Sequence, residues 1–199
     1  MDFSLENEYR ARGFGLICGV DEAGRGPLCG PVAAAACILP EGWIPEGLND
    51  SKKLTEKKRE KLYDIITQGA LAWSVAFATV EEIDALNILN ADMLAMRRAI
   101  QGLSIPPDAA LIDGNIARDF PLPAFPIIGG DAKSPSIAAA SILAKVTRDR
   151  LCAQLEEQYP GYGIGKHKGY CTPQHQQALR ELGPSPCHRK TFLGFLAKS

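Results

Sequence analysis

A layered α/β fold built on a mixed sheet of five strands is what the sequence predicts, from three observations. Two apolar runs near the start flank a glycine-rich stretch, as hairpin-like strands do. Beyond residue 70, short apolar runs alternate with segments of helical periodicity. After residue 135 the pattern is helical to the end, with no further strand-like run.

The elements follow in order. Phe14–Val20 is a short apolar run that stops at Asp21, and Gly30–Leu39 (G-P-V-A-A-A-A-C-I-L) is the second. The intervening E-A-G-R-G-P-L-C is too rich in glycine for a strand interior or a helix, so it reads as a turn with a bulge. Four alanines, Ala33–Ala36, imply that something packs closely on the second strand. Helix is the rival reading of that run, second because of its ten-residue length and the flanking Pro31 and Pro40. Trp43–Asn49 is a Pro/Gly loop. The segment D-S-K-K-L-T-E-K-K-R-E-K-L-Y-D-I-I reads as a helix capped by Thr55 or Ser51, with an apolar stripe at Leu62, Ile65 and Ile66. Ala70–Thr79 alternates well enough for the third strand. Val80–Leu103 is helical through Leu86, Leu89, Met93, Met96 and Ile100, is broken or restarted near Asn87–Asn90, and ends before Pro106–Pro107. Ala109–Asp113 and Phe125–Gly129 are the fourth and fifth strands. Pro135–Gln158 is the longest helical pattern, and small residues crowd its first half. Thr172–Leu182 is a further short helix, with Thr172 as cap and Pro173 at its first position.

A chain of 199 residues with 46% hydrophobic content fits one domain spanning 1–199, and no repeat or low-complexity linker divides it. No run approaches about 20 apolar residues, so no membrane span is expected. The charged start lacks the order of a secretory signal, so a cytoplasmic protein is expected. Six cysteines form no C-x-x-C, and the three histidines are not spaced around any cysteine pair as a zinc site requires. Reduced, buried cysteines are the expectation. A net charge of −1 argues mildly against a nucleic-acid partner, but the distribution of charge argues the other way. Residues 145–199 hold nine Lys/Arg against four Asp/Glu, while residues 1–144 hold thirteen against nineteen. A basic C-terminal segment, 160–199, beside an acidic pocket suits a protein that grips a phosphate backbone and cuts it.

Asp21 and Glu22 in V-D-E-A-G-R-G-P, Asp113 in L-I-D-G-N and Asp131 in I-I-G-G-D-A-K-S supply the acidic pocket. Three of the four stand at or just beyond the end of an apolar run. If those runs are neighbours in one sheet, four carboxylates converge. Two ionised carboxylates about 4 Å apart repel by roughly 4 kcal/mol at an effective dielectric near 20. Such a cluster therefore calls for hard divalent cations, Mg²⁺ above all. Adjacent strand residues point to opposite faces, so Asp21 and Glu22 share a pocket only if the backbone twists there.

Six segments carry a resemblance: V-D-E-A-G-R-G-P-L-x-G-P-V, N-D-S-K-K-L, L-I-D-G-N, G-G-D-A-K-S-x-S-I-A-A-A-S-I-L-A-K-V-T-R-D-R, Y-P-x-Y-G and H-K-G-Y-x-T. Together, in this order over about residues 14–192, they resemble the type 2 ribonucleases H, specifically bacterial ribonuclease HII. The resemblance implies a ribonuclease H-like α/β/α sandwich with a five-stranded mixed sheet and a helical C-terminal segment. It implies an endoribonuclease that cuts on the 5′ side of a ribonucleotide in RNA/DNA hybrids, at RNA–DNA junctions or at single ribonucleotides in duplex DNA. Asp21, Glu22, Asp113 and Asp131 are then the catalytic metal ligands for two Mg²⁺ or Mn²⁺ ions, with Asp21 shared between them. Gly24, Arg25 and Gly26 read the 2′-hydroxyl, Tyr170 packs on the following sugar, and Ser51, Lys52, Lys53, Lys145, Lys166, His167 and Lys168 lie along the substrate, His167 as support. Lys57, Lys58, Arg59 and Lys61 read as a solvated helix face. A monomer is expected, and the tail F-L-G-F-L-A-K-S carries no clear sliding-clamp motif. The rivals are a nuclease of the same fold that cuts all-DNA substrates and a binding module with a decayed site; none of the four acids is replaced, which disfavours the second.

Overall fold

The computed structural model describes residues 1–198; Ser199, the last residue of the expected domain and tail, lies outside the described residues. Five strands form one sheet in the order β3-β2-β1-β4-β5: β1 Ile17–Ala23, β2 Val32–Ile38, β3 Ala72–Ala78, β4 Ala109–Asp113 and β5 Ala124–Ile127. β1, β2 and β3 pair antiparallel, while β4 runs parallel to β1 and β5 parallel to β4. The mixed sheet expected from the sequence is the sheet observed, with corrections to its boundaries: β1 starts at Ile17, and β2 and β3 are trimmed at both ends. β1 runs on through Asp21 and Glu22 to Ala23, and its pairing with β2 is regular from Gly19↔Cys37 to Ala23↔Ala33, so there is no bulge in it. The charged end of that strand is extended because β2 supplies partners to its last residue. β5 starts one residue early and stops at Ile127, where the chain turns through Gly129 at φ +63.

Among the described residues, seven α-helices cover the sheet: α1 Ser4–Ala11, α2 Glu56–Gly69, α3 Val80–Leu86, α4 Ile88–Gln101, α5 Pro135–Gln158, α6 Ile164–His167 and α7 Pro173–Leu182. α1 was not expected: its buried Phe3, Glu6 and Tyr9 lie among charged residues that hide the helical stripe. Thr55 caps α2, and Ser51–Lys53 forms a separate 3-10 turn before it, which decides between the two candidate caps. The helical pattern over 80–103 divides at Asn87, whose φ of +68 ends α3 and whose side chain caps α4.

Strand alternation sends two sets of side chains to two layers. Val20, Ala34, Ala36 and Ile112 meet Ala95, Met96 and Ala99 of α4 on one face. Ala35 and Cys37 meet Ile142, Leu143 and Val146 of α5, with Leu62 and Ile66 of α2, on the other. The four alanines are fully buried, and their small size admits helices on both faces. A third cluster joins Leu28 and Cys29 to Cys152 of α5 and to Tyr162, Ile164, Leu179 and Cys187 of the C-terminal segment. All six cysteines are unpaired, and five are buried, as small apolar residues are. Among the described residues, no helix is long and apolar enough to cross a membrane.

Candidate active site

The parallel pairing of β1 with β4 sets Val20 beside Ile112. The next step of that register puts Asp21 beside Asp113. Val20 and Ile112 face α4, so both aspartates emerge on the opposite face, toward α5. Asp131 lies in the 3-10 turn Gly130–Ala132 that leads into α5. The start of α5 is seated hard on β1: a Cβ on Gly19 would stand 2.1 Å from the backbone carbon of Ser136. Two loop contacts fix the remaining geometry. Asp113 Oδ1 accepts from the Gly130 N–H at 2.7 Å and from the Asp131 N–H at 3.4 Å, and Asp21 Oδ1 accepts from the Glu22 N–H at 2.7 Å.

Glu22 does face the other way, as its pairing with Ala34 on the α4 side requires. No twist or bulge brings it round. At the end of the strand its longer side chain still lines the cleft that contains Asp21, Asp113, Gly24 and Gly26, with Arg25 Nη1 3.7 Å from Oε1.

The acids are short of positive charge. Burial, and then the charges of Glu22 and Asp113, hold the Asp21 carboxyl well above the ordinary range, against a hydrogen bond from Ser141. Burial also raises Glu22, with Arg25 opposing. Burial followed by Asp113 and Asp50 raises Asp131, with Lys52 opposing. The Lys52 ammonium is 3.8 Å from Asp131; burial works to lower its pKa, and Asp131, Asp21, Asp50 and Asp113 together carry it above the usual value. Four hard oxygen donors and one flexible lysine fit divalent cations of the Mg²⁺ or Mn²⁺ kind. No three of the four carboxylates bring oxygen atoms within 4.8 Å of one another. Among the described residues, the one group of three Cys/His/Asp/Glu ligand atoms within 4.8 Å of one another is Cys29, His175 and His188.

That second cluster was not legible in the sequence, and it is complete without a metal. His175 Nδ1 donates to the Tyr170 carbonyl at 3.0 Å, which leaves its Nε2 bare to accept from His188 Nε2 at 3.0 Å. His188 Nδ1 in turn accepts from the Ser185 N–H at 3.1 Å. Cys29 is the antiparallel partner of His188.

The expected substrate contacts divide by environment. Gly24 has φ +98, and a Cβ there would stand 1.9 Å from Arg148 Nε, so this position is closed to any side chain. Gly26 lies under the ring of Tyr170, which is 46% exposed. Lys53 and Lys166 are exposed. Lys145 is held by Asp149 at 2.7 Å, and Lys168 lies 3.9 Å from Glu56. Ser51 is buried and shares a hydrogen bond of 2.8 Å with Ser141, so it belongs to the wall of the cleft and not to its open face. His167 is turned inward: Nε2 donates to the Tyr162 carbonyl at 2.8 Å and Nδ1 accepts from the Gly169 N–H at 3.2 Å.

Sequence reasoning missed two arginines that hold the glycine loop. Arg189, fully buried, donates to the carbonyls of Gly24, Arg25 and Gly30 at 2.6, 2.9 and 2.9 Å. Arg148, 2% exposed, donates to those of Cys29, Pro31 and Lys168 at 3.1, 3.3 and 3.0 Å. Burial, and then the neighbouring Arg148, bring Arg189 down to about 10. Arg148 shares a helix face with Ala144 and Cys152, so periodicity was a usable signal for it; Arg189 stands in C-H-R-K, a segment that resembles the family but to which the sequence assigns no role. Glu6 of α1 was missed too: it is fully buried at the start of α5, accepting from Ser134 Oγ at 2.6 Å and the Ser136 N–H at 3.2 Å, where an acid complements the helix dipole.

A family model described as "Ribonuclease HII" matches residues 18–194. Among solved structures, the chain is similar to a ribonuclease H2 from Pyrococcus horikoshii OT3, at 28% identity and a TM-score of 0.74, over 88% of this chain and 93% of that one. It is also similar to a chain of the PCNA:RNase HII complex from Archaeoglobus fulgidus, at 25% identity and a TM-score of 0.73, over 88% and 94%. A Bst-RNase HIII in complex with Mn²⁺, 19% identical with a TM-score of 0.69 over 92% and 70%, shares the fold.

Proposed function

This chain belongs to the ribonuclease HII family and is a ribonuclease H endonuclease, and from that premise we propose that it hydrolyses the phosphodiester on the 5′ side of a ribonucleotide in duplex contexts, leaving a 3′-hydroxyl and a 5′-phosphate. Its substrates on this reading are RNA/DNA hybrids, RNA–DNA junctions and single ribonucleotides embedded in DNA, and its setting is the removal of ribonucleotides and RNA primers in the cytoplasm. The observation that carries the reading is the placement of Asp21 and Asp113 side by side on adjacent strands, in one cleft with the loop Gly24–Gly26.

Asp21, Glu22, Asp113 and Asp131 would hold two divalent ions, Asp21 being shared between them. Bound there, the ions supply charge neutralisation at the scissile phosphate and an activated water. The Mn²⁺ complex of the fold relative Bst-RNase HIII is consistent with divalent metal use. The protein's own residues do the reading. Gly24 lets the chain turn tightly against Arg148 and exposed Gly26 leaves the loop open, so that backbone groups other than the Gly24 and Arg25 carbonyls held by Arg189 can approach the 2′-hydroxyl, the group that separates RNA from DNA. Arg148 and Arg189 hold that backbone through five of its carbonyls, and Arg148 ties it to the Lys168 carbonyl through a sixth, so little order is lost on binding. Tyr170, exposed over Gly26, packs on the next sugar. Arg25, Lys52, Lys53, Lys166 and Lys168 face the phosphate backbone, with His167 supporting the loop from behind.

Two duplexes of one sequence test this, one carrying a single ribonucleotide and one all DNA, each with Mg²⁺ and with chelator. Cleavage of the first alone, 5′ to the ribonucleotide and only with metal, is expected. Equal cleavage of both would refute the junction reading.

A further inference from the structure

Asp92 lies in the first half of α4 with no exposed surface, on a helix whose Ala91, Met93, Ala95 and Met96 belong to the apolar core. Neither of its carboxyl oxygens has a hydrogen-bond partner. Its one charged contact is Arg25, whose Nε stands 3.6 Å from Oδ2. The same guanidinium reaches Glu22 Oε1 through Nη1 at 3.7 Å, and about half of the Arg25 side chain, 48%, is open to the cleft. A carboxyl buried among methionines and alanines without a donor is costly, and an apolar residue would pack there at no such cost. Packing therefore does not account for an acid at this position, and the acid Glu22 nearby works against it; the Arg25 guanidinium is its one favourable charged partner among the described residues.

We propose that Asp92 is a positioning residue that anchors Arg25 from inside the protein, so that the guanidinium stays aimed at the phosphate backbone of the bound nucleic acid. The inference rests on the function proposed above. Arg25 has two acids to lean on, and Glu22 is the one expected to bind a cation. Once it does, its attraction for a guanidinium is cancelled and the cation repels Arg25. Asp92, on the far side, still holds Nε and leaves the terminal nitrogens free for a phosphate, where the fork of arginine is effective. A carboxyl oxygen can accept from Nε in either protonation state.

The test uses the full chain, Mg²⁺ and the single-ribonucleotide duplex, and compares wild type, Asp92→Ala, Asp92→Asn, Arg25→Ala and the Asp92→Ala/Arg25→Ala double variant. Asp92→Ala should raise KM about fivefold with kcat within about twofold, Asp92→Asn should recover most of the loss because it keeps an acceptor oxygen, and Asp92→Ala should add nothing once Arg25 is gone. The midpoint of thermal unfolding should hold or rise in Asp92→Ala, since an unpartnered buried carboxyl has been removed. A purely structural Asp92 predicts the reverse: a lower midpoint, no rescue by Asn, and the same fold-change with or without Arg25. That outcome, or an unchanged KM, overturns the proposal. A wild-type protein that leaves the ribonucleotide duplex uncut overturns the functional reading and this proposal with it, whereas an active wild type with an uncoupled pair overturns this proposal alone.

Discussion

Gly19→Ala is the sharpest test of how the site is assembled, because it adds one methyl far from any solvent or substrate. The new Cβ would stand 2.1 Å from Ser136 C and 2.2 Å from Ile137 N, both backbone atoms that no side-chain rotation can move. Ordinary contact begins near 3.4 Å, so the start of α5 must withdraw from β1 by about 1.3 Å. Overpacking of this kind costs roughly 1–3 kcal/mol, which for a chain of this length lowers Tm by about 3–10 °C. The larger effect is on the chemistry. Asp131 is tied to the start of α5 through Ser134, whose N–H donates to the Gly130 carbonyl at 2.8 Å, so the withdrawal separates Asp131 from Asp21. A displacement of about 1 Å in a reacting constellation costs on the order of 100-fold in rate. Steady-state cleavage of the single-ribonucleotide duplex at saturating Mg²⁺ should show that loss in kcat, well below the Tm of the variant. Gly194→Ala, where nothing lies within 4 Å of the added carbon, is the control and should match wild type. A Gly19→Ala protein that is folded and retains wild-type kcat would refute the claim that α5 is seated on β1 to set the acids.

Arg189→Lys should lower stability by about 2–4 kcal/mol and raise KM, because one ammonium cannot serve the carbonyls of Gly24, Arg25 and Gly30 together; chemical denaturation and steady-state kinetics read both. With chelator present, the contribution of Asp21 to stability should fall as pH rises above about 3.8: Asp21 in the folded state keeps its proton above that ordinary value, so the folded state binds more protons there and loses them on the way up. Added Mg²⁺ should restore the loss at neutral pH, and the chelated Asp21→Asn variant should show a shallower decline in Tm with pH, while being inactive. Lys52→Ala should weaken nucleic-acid binding and reduce the salt slope of log K by about one. His167→Ala, by contrast, should lower Tm and leave that slope unchanged, since both ring nitrogens are spent on backbone groups.

The strands were legible because each is a short apolar run bounded by Gly, Pro or an acid, and the acids stood out because they close those runs. What escaped was whatever depends on partners that have no residue type. Arg148 and Arg189 act on six backbone carbonyls, and a carbonyl leaves no trace in a sequence. Asp92 was hidden for another reason: the stripe Leu89, Met93, Met96 and Ile100 describes the apolar face of α4, and one acid beside it reads as the edge of the polar face. His175 and His188 lie thirteen residues apart, and only the fold of the C-terminal segment turns their rings together. The N-terminal helix failed for want of contrast, because its buried stripe Phe3, Glu6 and Tyr9 has an acid at its centre. Glu22 lines the cleft without the twist expected of the backbone, since the strand reaches its end before the two faces need to be reconciled.

The ties between residues 24–31 and Arg189 have a consequence for the order in which the molecule matures during synthesis. The carboxylates lie no further along the chain than Asp131, so their scaffold is complete once α5 has left the ribosome. The loop proposed to discriminate sugars is not, because three of the five bonds that the two arginines make to it come from Arg189, thirty-one positions beyond the end of α5. A nascent chain thus owns its cutting groups before it owns its discrimination, and selectivity is the last property to be installed.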